Sequence, residues 1–220
     1  MPRLPLCRSL LIAGLLVLIP GTWQLGAAGW IHAKAWLAQD LLERAWVTTL
    51  AADPQTAIRP WPWADTYPLA RLQAPGLDID QVVLAGASGR SLAFGPGHLD
   101  GTAAPGTEGH SVVVGHRDTH FAFLRDLAPG DPLRLQGPDG LWRDYRIETA
   151  EVIDARAARL APDDGRAALT LVTCYPFDTV EPGGPLRYLV FAVAEETVGD
   201  LAPKRVVSTM PATMKGTPTR

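Results

Sequence analysis

From Leu69 onward the chain never sustains a long apolar run. Gly, Pro or Asp breaks in every few residues, with turn sequences such as Pro129-Gly130-Asp131 and Pro138-Asp139-Gly140. An amphipathic helix needs apolar residues kept up at i, i+3 and i+4, whereas short apolar runs bounded by turn residues are the mark of strands. The runs fall at 69–72, 79–84, 110–114, 133–135, 145–153, 169–174 and 186–193. This spacing predicts a mostly-β domain, a barrel or sandwich, with minor helices, one of them over 121–127.

The N-terminal part obeys a different constraint. Between residues 9 and 33 there is no Asp, Glu, Lys or Arg. At ~1.5 Å per helical residue such a stretch exceeds the roughly 30 Å of a bilayer's hydrocarbon core, which predicts a transmembrane helix. Arg3 and Arg8 stand before it, so the positive-inside rule keeps the N-terminus in the cytoplasm and exports the rest. A signal peptide cut near Gly26-Ala27-Ala28 is the competing reading. The expected layout is a cytoplasmic tip and anchor over 1–33, a stalk helix and Pro/Trp-rich linker over 34–68, the β-domain over 69–196 and a disordered tail over 197–220. Trp61 and Trp63 are expected to pack on the domain surface or sit near lipid headgroups.

A net charge of -3 without a basic stripe excludes a nucleic-acid partner. Two cysteines, Cys7 and Cys174, cannot build a disulfide framework. With no Cys-x-x-Cys pair, no zinc-type spacing and no acidic cluster suited to calcium, no metal or cofactor is expected.

Cys174 ends the run Leu169-Thr170-Leu171-Val172-Thr173-Cys174, just before Tyr175-Pro176. In a strand, Thr170, Val172 and Cys174 share one face, and the thiol stands at the terminus, where a side chain can reach a cleft. It is either a buried spare thiol or a nucleophile. A nucleophilic thiol needs a proton partner, most often histidine. His116, in Val113-Val114-Gly115-His116-Arg117-Asp118, has the same strand-end placement, whereas His110 begins that strand some ~20 Å away and cannot serve the same thiol. His120, four residues on, is either a supporting group of the same cleft or a turn residue. Arg187 opens the last strand on the face of Leu189 and Phe191, where isolated burial of its charge is costly and a cleft lining is not.

Together, Thr170-Leu171-Val172-Thr173-Cys174, the upstream Gly115-His116-Arg117 and the downstream Arg187 resemble the sortases, a family of membrane-anchored cysteine transpeptidases. The resemblance covers residues 69–196 and the N-terminal anchor. Its longer forms, Gly115-His116-Arg117-Asp118-Thr119-His120-Phe121, Cys174-Tyr175-Pro176-Phe177-Asp178 and Gly183-Gly184-Pro185-Leu186-Arg187-Tyr188, are similar to sortases of Gram-negative proteobacteria. The resemblance implies a sortase-like eight-stranded β-barrel, with Cys174 as nucleophile, His116 as general acid/base and Arg187 stabilising the oxyanion, and with Thr170, Thr173 and His120 in supporting positions. It also implies a protein substrate with a Leu-Pro-x-Thr-Gly-like signal cut after its threonine, an amine acceptor of unassigned identity, and a single-pass protein of the inner membrane with its domain on the periplasmic side. Three rivals stand beside it. L,D-transpeptidases resemble Ser-His-Gly-Cys around their nucleophile, where this chain has Val172-Thr173 before Cys174; a papain-like or other exported cysteine peptidase would put its cysteine at a helix start, against which the β-branched residues before Cys174 argue; an anchored, non-enzymatic β-domain would hold a structural thiol.

Overall fold

The computed structural model describes residues 4–53, 56–157, 166–179 and 183–195. Its strands are β1 (Pro68–Ala74), β2 (Ile79–Ala85), β3 (Gly97–His98), β4 (His110–Val114), β5 (Pro132–Gln136), β6 (Trp142–Asp154), β7 (Ala168–Cys174) and β8 (Leu186–Ala194). They close into a barrel in the order β1-β2-β3-β4-β7-β8-β6-β5. Closure pairs every strand on both sides and removes the free edges that a sandwich would leave. The pairs β2–β3 and β4–β7 are parallel and the others antiparallel.

Alternation then divides inside from outside. Ala70, Leu72 and Ala74 of β1, Leu169 and Leu171 of β7, and Val190 and Ala192 of β8 fill the interior. The residues between them point outward. The seven expected strands are present, six of them lengthened at one or both ends and β4 with the bounds expected. Strand β3 was not foreseen, because two residues carry no period. A Cβ at Gly97 would collide with the Gly86 carbonyl, so glycine is required for the chain to pass so close there. The helix expected over 121–127 is a 3-10 helix, Ala122–Asp126, which buries Phe123 and Leu124.

Residues Leu4–Ala51 form one unbroken helix, α1, of 48 residues. Among the described residues, no helix is long and apolar enough to cross a membrane; the side chains before Ile12, and those of residues 13 and 15, lie outside the described set. The helix changes character along its length. Leu16, Ile19, Trp23, Trp30 and Trp36 are exposed, whereas Ala38, Leu42, Ala45, Trp46 and Thr49 are buried. That i, i+3, i+4 spacing makes one stripe, and it packs on Val82 and Leu84 of β2, with Leu50, Trp61 and Phe94 around it. Gln39 Nε2 donates to the Phe94 carbonyl at 2.8 Å, and Glu43 pairs at 2.7 Å with Arg71, which Asp80 holds from the other side at 2.6 Å.

The helical part of the stretch 34–68 thus packs on the barrel over its last turns. Trp61 packs edge-on against Phe94 at 5.1 Å, as expected, while Trp63 stays exposed. The tail expected over 197–220 lies outside the described residues. Emptying the site of a buried indole costs about 3–5 kcal/mol, so Trp46→Ala is expected to lower the domain's unfolding free energy by roughly that amount. A chain shortened to begin at residue 34 should keep the parent melting temperature, and one beginning at Trp61 should melt several degrees lower; scanning calorimetry of the shortened chains checks both.

Candidate active site

The site forms where β4 and β7 end side by side. The parallel register runs from His110↔Ala168 to Val114↔Val172, and two bonds carry it past the strands: Gly115 N–H donates to the Val172 carbonyl at 3.1 Å, and Thr173 Oγ1 donates to the Gly115 carbonyl at 2.7 Å. Thr173 is 1% exposed, so this hydroxyl bond is shielded from water and worth more than a surface one. Strand β4 itself ends at Val114, and these two bonds hold Gly115, the residue before His116, alongside the end of β7 that carries Cys174.

The chain can turn away directly after Gly115 because that residue has no side chain. A Cβ there would lie 2.6 Å from the Phe121 ring. Phe121 is fully buried and its N–H donates to the His116 carbonyl at 2.9 Å, which closes the turn 116–121 over the end of the barrel. His116 is exposed and Cys174 half-buried; Cys174 is the free cysteine among the described residues.

Strand β8 supplies the third group. Its register pairs Arg187 with Cys174 and Leu189 with Val172, and with Val190 and Ala192 inside the barrel, Arg187 and Leu189 face outward as Cys174 and Val172 do. Arg187 Nη1 donates to the carbonyls of Gly184 and Leu186, each at 2.8 Å, which anchors the arm to the loop before β8. The half-buried side chains of Val114, Val172 and Leu189 lie in one row across the three strands and form an apolar strip leading to Cys174.

The loop after Cys174 is tied to the turn after His116. Arg117 Nη2 donates to the Thr179 carbonyl at 3.0 Å. Arg125 pairs with Asp178 at 3.4 Å and lies over the Phe177 ring at 5.3 Å, while Phe177 packs against Tyr188 at 5.3 Å. None of these ties has a local sequence signal, since each joins segments far apart in the chain.

The other residues singled out from the sequence divide. Thr173 belongs to the site through its bond to Gly115. Thr170 does not: its Oγ1 meets His110 Nε2 at 2.7 Å, and it lies four residues before Cys174, ~13 Å along the strand. His110 is thus at the far end from His116, as its position in the sequence indicates. His120 does join the site. It is half-buried, and its ionisation falls below the usual imidazole range, first through burial and then through the nearby His116, against a hydrogen bond with the backbone of Ala93. Among the described residues no group of His, Cys, Asp and Glu side chains could hold a metal ion.

The neutral state of His120 has a consequence for stability. Because folding lowers its pKa, the unfolded chain takes up the proton first as pH falls. Its contribution is therefore complete above about pH 6.5 and is lost as pH drops through the folded value. His120→Gln is expected to flatten this part of the stability profile, measured by urea unfolding between about pH 5 and 8.

A family model described as the sortase domain matches residues 72–195. Sortase D of Bacillus subtilis (strain 168) is 31% identical over 121 residues, which cover 54% of this chain and 60% of that protein, so the match spans less than two thirds of the relative. Among solved structures, a sortase D5 transpeptidase of Clostridium perfringens superimposes with a TM-score of 0.59 at 19% identity, covering 73% of this chain and 99% of that one. Sortase A of Corynebacterium diphtheriae gives 0.55 at 22% identity, with coverage of 74% and 86%. At these identities the two structures speak for the fold alone, and the fold they share is this barrel. These relatives give no support to the narrower proteobacterial likeness. The family match covers more than half of the 220 residues and takes in both strand ends: the chain belongs to the sortase family.

Proposed function

We propose that this protein is a membrane-anchored transpeptidase that cuts a Leu-Pro-x-Thr-Gly-like signal between Thr and Gly and passes the acyl fragment to an amine. The observation that carries the reading is the pairing of Arg187 with Cys174 on β8 and β7, together with the parallel β4–β7 register up to Val114↔Val172, which leads the chain toward His116 beside the end of β7. The apolar strip of Val114, Val172 and Leu189 suits the Leu-Pro part of such a signal, two residues or ~6.6 Å from Cys174 along the strand.

The chemistry follows from the groups present. The Cys174 thiolate attacks the threonine carbonyl carbon, and the carbonyl π electrons move onto oxygen, where the positive charge of Arg187 offsets the developing oxyanion. As the intermediate collapses the C–N bond breaks, the His116 imidazolium gives its proton to the departing glycine nitrogen, and a thioester on Cys174 remains. An incoming amine then attacks the thioester, neutral His116 accepts its proton, and the thiolate leaves. Each cycle returns the thiolate and the imidazolium.

Anchoring rests on the uncharged stretch over 9–33 and on the exposed apolar side chains of α1 from Ile12 to Leu37. The buried stripe from Ala38 to Thr49 then fixes the domain directly to the end of the anchor. In this reading Arg3 and Arg8 stay in the cytoplasm and the barrel works on the far side of the membrane. The narrower assignment, a proteobacterial sortase of the inner membrane with a periplasmic domain, rests on the motifs from Gly115 to Phe121, Cys174 to Asp178 and Gly183 to Tyr188.

Steady-state cleavage of a Leu-Pro-x-Thr-Gly peptide tests the scheme. Cys174→Ala is expected to be inactive with an unchanged melting temperature, and His116→Ala comparably inactive with its thiol still open to alkylation. Arg187→Ala should lose roughly 10²–10³-fold in kcat, the usual effect of removing an oxyanion donor. His120→Ala should lose much less than His116→Ala. Full activity of Cys174→Ala would refute the scheme, and the reverse order of the two histidine variants would reassign the base.

A further inference from the structure

Strand β2 carries one residue that breaks the rule of its face. Ile79 and Val83 point into the barrel core, and alternation puts Gln81 between them on the same side. Its Nε2 donates to the His120 carbonyl at 3.0 Å. Its Oε1 is buried and, among the described residues, has no hydrogen-bond partner. The amide orientation is fixed by the acceptor it meets: turned over, two oxygens would face each other. Burying an unpaired carbonyl oxygen is unfavourable, and an apolar side chain of the same length would avoid it. The amide is costly to the fold, and what it supplies is one donor aimed at the turn that carries His116.

That turn has other ties as well. Phe121 N–H closes it on the His116 carbonyl at 2.9 Å, the Phe121 ring seats it over Gly115, Arg117 binds it to the Thr179 carbonyl at 3.0 Å, and the His120 imidazole bonds the backbone of Ala93. Gln81 is the tie from the barrel interior. Without it the peptide at His120 loses this donor, and the turn loses its tie to the barrel interior.

We infer that Gln81 is a positioning residue for His116: its buried amide holds the turn 116–121 so that the imidazole stays at the level of Cys174. The inference rests on the reading of His116 as the acid/base, and it adds a residue on a strand that takes no part in the nucleophile's own sheet neighbourhood. A merely structural role and a positioning role predict opposite couplings of stability to chemistry. Replacing Gln81 by Met removes the donor together with the unpaired oxygen, so a positioning residue is lost while the core gains.

The test is the rate of Cys174 alkylation by iodoacetamide as a function of pH, in the full-length protein in detergent, for the parent, Gln81→Met, Gln81→Leu and His116→Ala. This readout needs no peptide and so stands apart from the assumed sorting signal. The expected result is that both Gln81 variants melt at or above the parent temperature, yet below about pH 7 their alkylation slows by roughly tenfold, toward the His116→Ala profile. Gln81 profiles that superimpose on the parent, with His116→Ala distinct, overturn the inference and leave His116 standing. A loss of alkylation only in proportion to a fall in melting temperature also overturns it. If His116→Ala itself superimposes on the parent, the acid/base reading fails and the inference falls with it.

Discussion

The structure depends on one parallel pairing, β4 against β7, and on the hydroxyl bond from Thr173 to the Gly115 carbonyl that extends it by a residue. Two strands separated by more than fifty residues of chain cannot present their ends at the same height unless the register is fixed. A slip by one residue would send Cys174 into the core face and Thr173 outward. Leu169 and Leu171 inside the barrel oppose that slip with their burial, and Thr173 opposes it with a shielded polar bond. The turn over Phe121, the loop tied by Arg117 and the pairing of Arg187 with Cys174 all build on this fixed level.

Strand positions could be read from the sequence because the apolar runs are bounded by Gly, Pro and Asp, and the strand-end character of Cys174 and His116 followed from what comes next in the chain. Barrel closure was less legible: it depends on the return of β5 to β1 and on β3, whose two residues have no pattern of their own. Thr173 was visible as a neighbour of Cys174, but its partner, the Gly115 carbonyl, lies across the parallel pair. Thr170 belonged to the same motif yet serves His110 at the far end of the strand. Gln81 had no signal at all, since a single glutamine in an apolar run reads as a solvent-facing residue until the barrel closes around it.

The helix that precedes the barrel joins two physical regimes in one element. Its first part exposes apolar side chains and its last part buries a narrow stripe on β2, with Glu43 and Gln39 adding polar ties to Arg71 and the Phe94 carbonyl. The same strand, β2, takes the helix on its outer face and presents Gln81 to the His116 turn on its inner face. Helix α1 and the turn that carries His116 thus lean on opposite sides of one strand, and the orientation of the barrel relative to α1 is set by packing, not by a flexible linker.

The most direct test of the central claim is the mass of the intact protein after mixing with a Leu-Pro-x-Thr-Gly peptide at short times. The expected result is an adduct equal to the acyl fragment ending at threonine, located on Cys174, absent from Cys174→Ala and released when a primary amine is added. Peptide cleavage without any adduct, or an adduct that persists in Cys174→Ala, would contradict it.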